Sequence, residues 1–344
     1  MKNVFYMHKI SSIGGVESFF YYLSKLFNDF VVYYKEGNIE QIKRLAQNVE
    51  VRKYTHPIKC ERFFCSYGYD IEVDAKEYYH IIHYDALNVG FTPMQSEGFK
   101  YIGVSNVACK GFEAKTGNKC ELIYNPVPLE KPNVEKKEGL NLISCQRLTS
   151  EKGGERINKL AKMLDKRGIN YTWTIYTNKT RYKFDSKNII VKPQQLDITK
   201  EVAESSFLVQ LSDCESFGLS VCEALILGTP VIITDLEAFK EIGCIHGKNA
   251  IICNLAMSNV DIDMIVKGLP DFKYTPPKST WDKYLSNKGK YNPNDLVTIR
   301  SKRRLTLIKE NVKLIKGQEF KVTKARASEL EALDYVEVVE WNIS

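Results

Sequence analysis

Along residues 1–128, short apolar runs alternate with stretches whose apolar positions recur every three or four residues. Residues 4–7 form one such run. After Ser11-Ser12-Ile13-Gly14-Gly15 come Val16, Phe19, Phe20, Leu23, Leu26 and Phe27, at helical spacing. This reads as strand, glycine loop, helix. Runs at 30–34, 49–54, 79–83 and 101–105 read as further strands, with a helix over 39–47. Alternation of this kind predicts a parallel sheet wrapped on both faces.

Residues 129–139 are rich in lysine and glutamate and read as a linker. A second alternating series follows, with strands at 140–145, 171–176, 189–192, 207–211 and 231–234 and helices at 155–167 and 219–227. The pattern changes near residue 271, where Pro270, Pro276, Pro277 and Pro293 punctuate a polar stretch around a short helix near Trp281. Short strands at 296–299, 318–322 and 335–339 and a helix at 328–333 close the chain. The expected architecture is α/β: two doubly wound Rossmann-like domains, at 1–128 and 140–290, facing a cleft. A small β-containing accessory module at 295–344 follows, suited to docking or oligomerisation. Ligands of such sheets bind beyond the carboxyl ends of the strands, so the interdomain cleft is the expected site.

Composition adds little to this. Hydrophobic residues make up 44% and charged residues 26%, enough for two cores. The net charge of +7 suits an anionic ligand but equally a soluble protein with surplus lysine. The nine cysteines are scattered, with no CxxC pair, and read as free thiols in a reducing cytosol. The N-terminus has no signal-peptide core, and no window reaches the roughly 18 apolar residues of a membrane span. A cytoplasmic location is expected. His56, Cys60 and Cys65 lack a fourth ligand at suitable spacing, so no metal site is expected there.

Candidate chemistry concentrates at residues 213–233, DCESFGLSVCEALILGTPVII. Glu215 and Glu223 flank the start of a helix. The Phe217-Gly218 turn before Leu219 leaves first-turn backbone N–H groups free for phosphate or developing negative charge. Glu223 can accept from a pair of ribose-like hydroxyls, and Glu215 from hydroxyls beyond the phosphates. A second loop, QRLTSEKGG at 146–154, follows a strand and carries Arg147 and Lys152, cations suited to a diphosphate. Gly14 and Gly15 open a helix from the first domain and can approach the same phosphates. Nothing here matches a dinucleotide fingerprint or a Walker loop. Solvated charges flanking a helix, and a surface loop with two basic residues, remain the plain structural readings of these stretches.

The ordered set GGVE (14–17), HIIH (80–83), GVS (103–105), IYNPV (123–127), QRLTSEKGG (146–154), ESFGLSVCEAL (215–225) and GTPVI (228–232) resembles the family 4 retaining glycosyltransferases of the GT-B fold. The resemblance runs over roughly residues 1–250. It implies that Arg147 and Lys152 hold the donor diphosphate and that Glu223 binds the donor ribose. It further implies that Glu215 contacts the donor sugar, that Phe217, Gly218 and Leu219 give backbone contacts, and that Gly15 lies near the phosphates. His83 would sit beside the reacting sugar, while His80 points to the opposite face of its strand. The implied reaction is retaining transfer from a nucleotide-diphosphate sugar by front-side displacement, the leaving phosphate taking the acceptor proton. No metal or other cofactor is implied. Asp261-Ile262-Asp263 reads as a helix cap rather than a metal motif.

The sequence departs from that family in places. The first domain is short, which leaves the acceptor open; a phage- or cell-envelope-related molecule is expected. Tyr176-Thr177-Asn178-Lys179 and Lys192-Pro193-Gln194-Gln195 replace glycine turns that touch the base, so the base is open too. Residues 234–242 keep Glu241 but lack the family's glycines. The C-terminal stretch loosely resembles small modules of phage-encoded proteins. Two other readings stand beside the leading one: a phage enzyme glycosylating DNA bases, and a non-catalytic binding or assembly protein on the same scaffold. Arginine and aromatic residues are too little interleaved to favour DNA as partner.

Overall fold

The computed structural model describes residues 1–341. The first domain comprises β1 (Asn3–Ile10), α1 (Gly15–Leu26), β2 (Phe30–Gly37), α2 (Ile39–Leu45), β3 (Glu50–Lys53), β4 (Ile58–Ser66), β5 (Val73–Ile82), β6 (Phe99–Gly103), α3 (Asn106–Thr116) and β7 (Cys120–Leu122). Its seven strands are all parallel, in the order β3-β2-β1-β4-β5-β6-β7. Asn38 caps α2 and Ser105 caps α3, each accepting from backbone N–H groups of the first turn.

The two sheet faces are covered differently. Phe5 and Phe64 face Phe19 and Phe20 of α1. Val4, Tyr6 and Phe63, on the other face, pack against Tyr69 and Ile71. These last belong to residues 67–72, which join β4 to β5. Parallel neighbours usually need a helical crossover of a dozen or more residues. Here six residues make the crossover as extended chain and cover the sheet themselves, which is why the domain is short.

The second domain comprises β8 (Leu140–Cys145), α4 (Gly154–Lys166), β9 (Tyr171–Thr177), β10 (Ile189–Pro193), α5 (Thr199–Glu204), β11 (Phe207–Gln210), α6 (Leu219–Ile226), β12 (Val231–Thr234), α7 (Glu237–Glu241), β13 (Ala250–Cys253) and α8 (Ile262–Lys267). Six parallel strands run β10-β9-β8-β11-β12-β13. Central strands β11 and β12 are buried along their whole length, as in a sheet covered on both faces, whereas the edge strand β10 is largely exposed. Asp261 caps α8, its carboxylate accepting from the Met264 N–H. All nine cysteines are free thiols.

From Trp281 the chain returns to the first domain. Trp281 is fully buried against Phe5, Phe19 and Phe64, and Ser286 bonds to Asp29. This stretch, which the sequence pattern assigns to 140–290, packs as part of the first domain. The final module contains β14 (Leu296–Ser301), β15 (Leu305–Leu307), β16 (Val312–Leu314), β17 (Glu319–Thr323), α9 (Lys324–Ala332) and β18 (Val336–Glu340). Its sheet is antiparallel, with β14 central, beside a β15–β16 hairpin. Helix α9 docks on α2 and β3: Ser328 Oγ donates to the Val51 carbonyl at 2.7 Å, and the Glu331 carboxylate accepts from the Lys53 N–H at 2.8 Å.

Candidate active site

In each sheet the strand order reverses beside the first strand, between β1 and β4 and between β8 and β11. Chain leaving adjacent strands at such a point diverges and opens a crevice at their carboxyl ends. Beyond β1 and β4 stand Gly14-Gly15 and Tyr67-Gly68. Beyond β8 and β11 stand the Arg147–Lys152 loop and the Ser212–Glu215 loop. The two crevices face each other across three connecting cavities of about 420, 840 and 320 Å³. Gly15 and Arg147 line all three.

Glu215 is the most constrained side chain. Its Oε1 accepts from Lys152 Nζ at 2.6 Å, Gln210 Nε2 at 2.5 Å and Ser212 Oγ at 2.8 Å. Ser220 Oγ in turn bonds Gln210 Oε1 at 2.6 Å, which fixes the amide's orientation. All three donors meet one oxygen, leaving Oε2 outside this set. The pair is mostly buried, with side-chain exposures of 18% for Lys152 and 11% for Glu215, so its geometry is held more firmly than a surface ion pair's.

Glu223 lies on α6 and lines the 420 Å³ cavity. Its Oε1 accepts from the Tyr22 hydroxyl of the first domain at 2.8 Å. Burial pushes its carboxyl up to about 7, opposed by the Tyr22 hydrogen bond and by the charge of Arg44. At neutral pH it is therefore poised between acid and carboxylate.

Gly218 precedes α6 with φ +82, and a side chain there would meet Phe239 at 2.6 Å. Glycine thus allows both the left-handed turn and close packing, and Leu219 and Ser220 start the helix at the cavity wall. Phe217 is buried; it and Gly218 line the 320 Å³ cavity with Lys152, Glu215 and His83. A Cβ at Gly14 would strike the Glu17 carboxylate, whereas at Gly15 it would meet open space. Gly15 thus presents the first turn of α1 directly to the cavities.

His83 follows β5. Its Nε2 shares a hydrogen bond with Ser66 Oγ at 3.1 Å, and its ring meets Phe19 edge-on. Burial lowers its pKa to about 3, so the ring is neutral at pH 7. His80 is fully buried beside Tyr101 and lines none of the three cavities.

All ten residues singled out in the sequence, Gly14, Gly15, His83, Arg147, Lys152, Glu215, Phe217, Gly218, Leu219 and Glu223, line these connected cavities. Others were not foreseen. Tyr22 had an available signal: Gly15, Ser18 and Tyr22 share one helical stripe. Gln210, Ser212, Tyr21 and Arg44 had none, because tertiary contacts alone bring them in. The domains also meet through Ser105 Oγ to the Ser216 carbonyl, and Ser216 Oγ to the His83 carbonyl at 2.8 Å. Glu241 of α7 accepts from the Asn106 and Val107 N–H groups at the start of α3. Among the described residues no group of three or more His, Cys, Asp or Glu is arranged to hold a metal ion, and no helix is long and apolar enough to cross a membrane.

Residues 128–272 match the family described as "Glycosyl transferases group 1". No curated protein matches the chain by sequence. Among solved structures, the chain is similar to Anabaena HepE in complex with UDP-glucose, at 13% identity and TM-score 0.56, covering 78% of this chain and 90% of that one. It is also similar to a glycosyltransferase from Rickettsia africae, at 11% identity and TM-score 0.55, covering 77% and 88%. WaaG, a glycosyltransferase involved in lipopolysaccharide biosynthesis, aligns at 12% identity and TM-score 0.54, covering 77% and 89%. At such identities the likeness shows the fold, GT-B. The chain thus carries a glycosyltransferase domain on a GT-B scaffold.

Proposed function

We propose that the protein transfers a glycosyl group from a nucleoside-diphosphate sugar to an acceptor hydroxyl, with retention at the anomeric carbon and without a resident metal. One observation carries this reading: Arg147, Lys152, Glu215 and Glu223 converge on one connected cleft whose wall includes the first turns of α1 and α6. The diphosphate lies between Gly15 and the Arg147–Lys152 loop, where two cations and helix N–H groups oppose its charge. Glu223 takes the ribose hydroxyls and Glu215 those of the sugar. The sugar occupies the 320 Å³ cavity beside His83, a neutral hydrogen-bonding group there.

In this reading the bond from the anomeric carbon to the diphosphate oxygen breaks as the acceptor oxygen adds on the same face. The acceptor proton passes to the departing diphosphate. The protein's part is positioning and charge stabilisation, which needs no nucleophile. The acceptor, a phage- or cell-envelope-related molecule, approaches through the 840 Å³ cavity lined by His8, Ser11, Tyr67 and Asp70.

A thermal-shift screen of nucleoside diphosphates and their sugars tests this reading. At least one diphosphate should raise the melting temperature of the wild type, by mass action, and Lys152→Met should abolish that rise. NMR of the product formed with an accepted donor should show the donor's anomeric configuration. Absence of any stabilising nucleotide sinks the proposal.

A further inference from the structure

Helix α1 runs the length of the donor cavity. Gly15, Ser18, Tyr22 and Lys25 succeed one another at spacings of three, four and three, and all line the 420 Å³ cavity. At 1.5 Å per residue they span roughly 15 Å. Gly15 marks the end shared with the other cavities, whereas Tyr21, Tyr22, Lys25 and Arg44 line this cavity alone. The far end of the helix therefore lies away from the diphosphate and beyond the Tyr22–Glu223 bond.

At that far end the Arg44 guanidinium of α2 lies 3.4 Å above the centre of the Tyr21 ring. Lys25 Nζ stands 5.7 Å from the same ring centre. Arg44 is near enough to Glu223 and to Asp197 to favour the charged form of both carboxyls. It therefore sits between the ribose-binding carboxylate and the loop that follows β10. From the second domain, Tyr176, Gln195 and Asp197 line this cavity alone, whereas Gln194 is shared with the 840 Å³ cavity. A planar cation laid on an aromatic face is a surface on which a heteroaromatic ring stacks.

Resting on the donor reading above, we infer that the first domain helps to hold the nucleobase: the Arg44–Tyr21 pair is a stacking ledge that covers the base of the donor across the cleft. Base recognition is then shared between the domains. The diphosphate remains with Gly15, Arg147 and Lys152.

The test compares two probes on the full chain by titration calorimetry: the nucleoside diphosphate that binds the wild type best, and inorganic pyrophosphate. Arg44→Lys keeps the charge and loses the plane; Tyr21→Leu keeps apolar bulk and loses the ring. Each should weaken the nucleoside diphosphate about tenfold, the size of one base–aromatic stack, while pyrophosphate affinity changes less than twofold. Tyr21→Phe should restore what Tyr21→Leu loses. Both residues are only partly buried, and a melting temperature within a few degrees of wild type confirms folding. Equal weakening of both probes makes Arg44 a phosphate ligand and overturns the ledge. So does unchanged affinity in both variants. A wild type that binds no nucleoside diphosphate refutes the donor reading itself, a result separate from either of these.

Discussion

Glu223→Gln should make the unliganded protein more stable and its nucleotide complex weaker. The Glu223 carboxyl is raised from 4.5 to about 7, chiefly by burial. A carboxyl raised in this way destabilises the fold only where it must be charged. The penalty is absent below its unfolded pKa near 4.5 and complete above the folded value near 7. The difference amounts to about 3 kcal/mol at pH 8 and falls below about 1 kcal/mol at pH 5. The side chain borders an open cavity where water screens its charge, so the expected gain is about 2 kcal/mol at pH 8. Gln is isosteric, and its Oε1 keeps the Tyr22 hydrogen bond. With an unfolding entropy of ~2.1 cal/mol/K per residue over 344 residues, that gain raises the melting temperature about 3 °C. Scanning fluorimetry at pH 5 and pH 8, with and without nucleoside diphosphate, reads all of this. A rise of equal size at both pH values, or none at pH 8, refutes the argument, because the gain must follow ionisation. The same ionisation predicts that wild-type nucleotide affinity falls up to about tenfold from pH 8 to pH 6, as Glu223 gains its proton.

Lys152→Met removes a cation proposed to hold the diphosphate and leaves Glu215 with only Gln210 and Ser212 as donors; kcat should fall by roughly 10²–10³, read in steady-state donor turnover. Gly153→Ala should cost at least about 2 kcal/mol in urea unfolding, because Gly153 has φ +71 and its Cβ would strike the Leu211 carbonyl oxygen. Trp281→Ala opens a cavity among Phe5, Phe19 and Phe64 and should cost about 3–5 kcal/mol. A small loss there would show that the returning segment is not part of the first core. Ser328→Ala removes the bond from α9 to Val51 and should cost about 1 kcal/mol, seen as faster proteolysis within residues 295–341.

The strands that sequence alone reveals most plainly are those buried along their whole length, such as β11 and β12, whose apolar runs end only at Gln210 and Thr234. Strand β4 is harder to see because Lys59 and Glu61 interrupt its first half, which is exposed on alternate residues. The extended crossover at 67–72 has no periodicity, and its identity as a sheet cover depends on Tyr69 and Ile71 meeting residues far along the chain. The β15–β16 hairpin has strands of three residues, too short for a pattern. In the site, Arg147, Lys152 and Glu215 are legible because each stands in a loop that follows a recognisable strand, and Glu223 because it lies in the second turn of the helix after that loop. The contributions of Tyr21 and Arg44 are hidden because they depend on how α2 packs against α1 and on how one domain faces the other.

The contacts across the cleft bear on how the proposed donor enters. Lys152, one of the two cations available for a diphosphate, is held by Glu215 at 2.6 Å. Glu223, which we propose accepts from the ribose hydroxyls, already takes a hydroxyl from Tyr22 at 2.8 Å. Each contact supplies the chemistry that the donor would bring, an anion for the lysine and a hydroxyl for the carboxylate. A bound donor must therefore share or replace these partners. Its net affinity reflects the difference between two sets of similar bonds, not the sum of one set. Removing the competitor isolates that difference: Tyr22→Phe frees Glu223 and also loosens the domain contact. If the hydroxyl chiefly competes, the variant binds nucleoside diphosphate more tightly. If it chiefly holds the cleft closed, the variant binds it more weakly. Glu223 itself favours the first outcome, since without Tyr22 its carboxylate has lost its hydrogen-bond donor and gains most from the ribose.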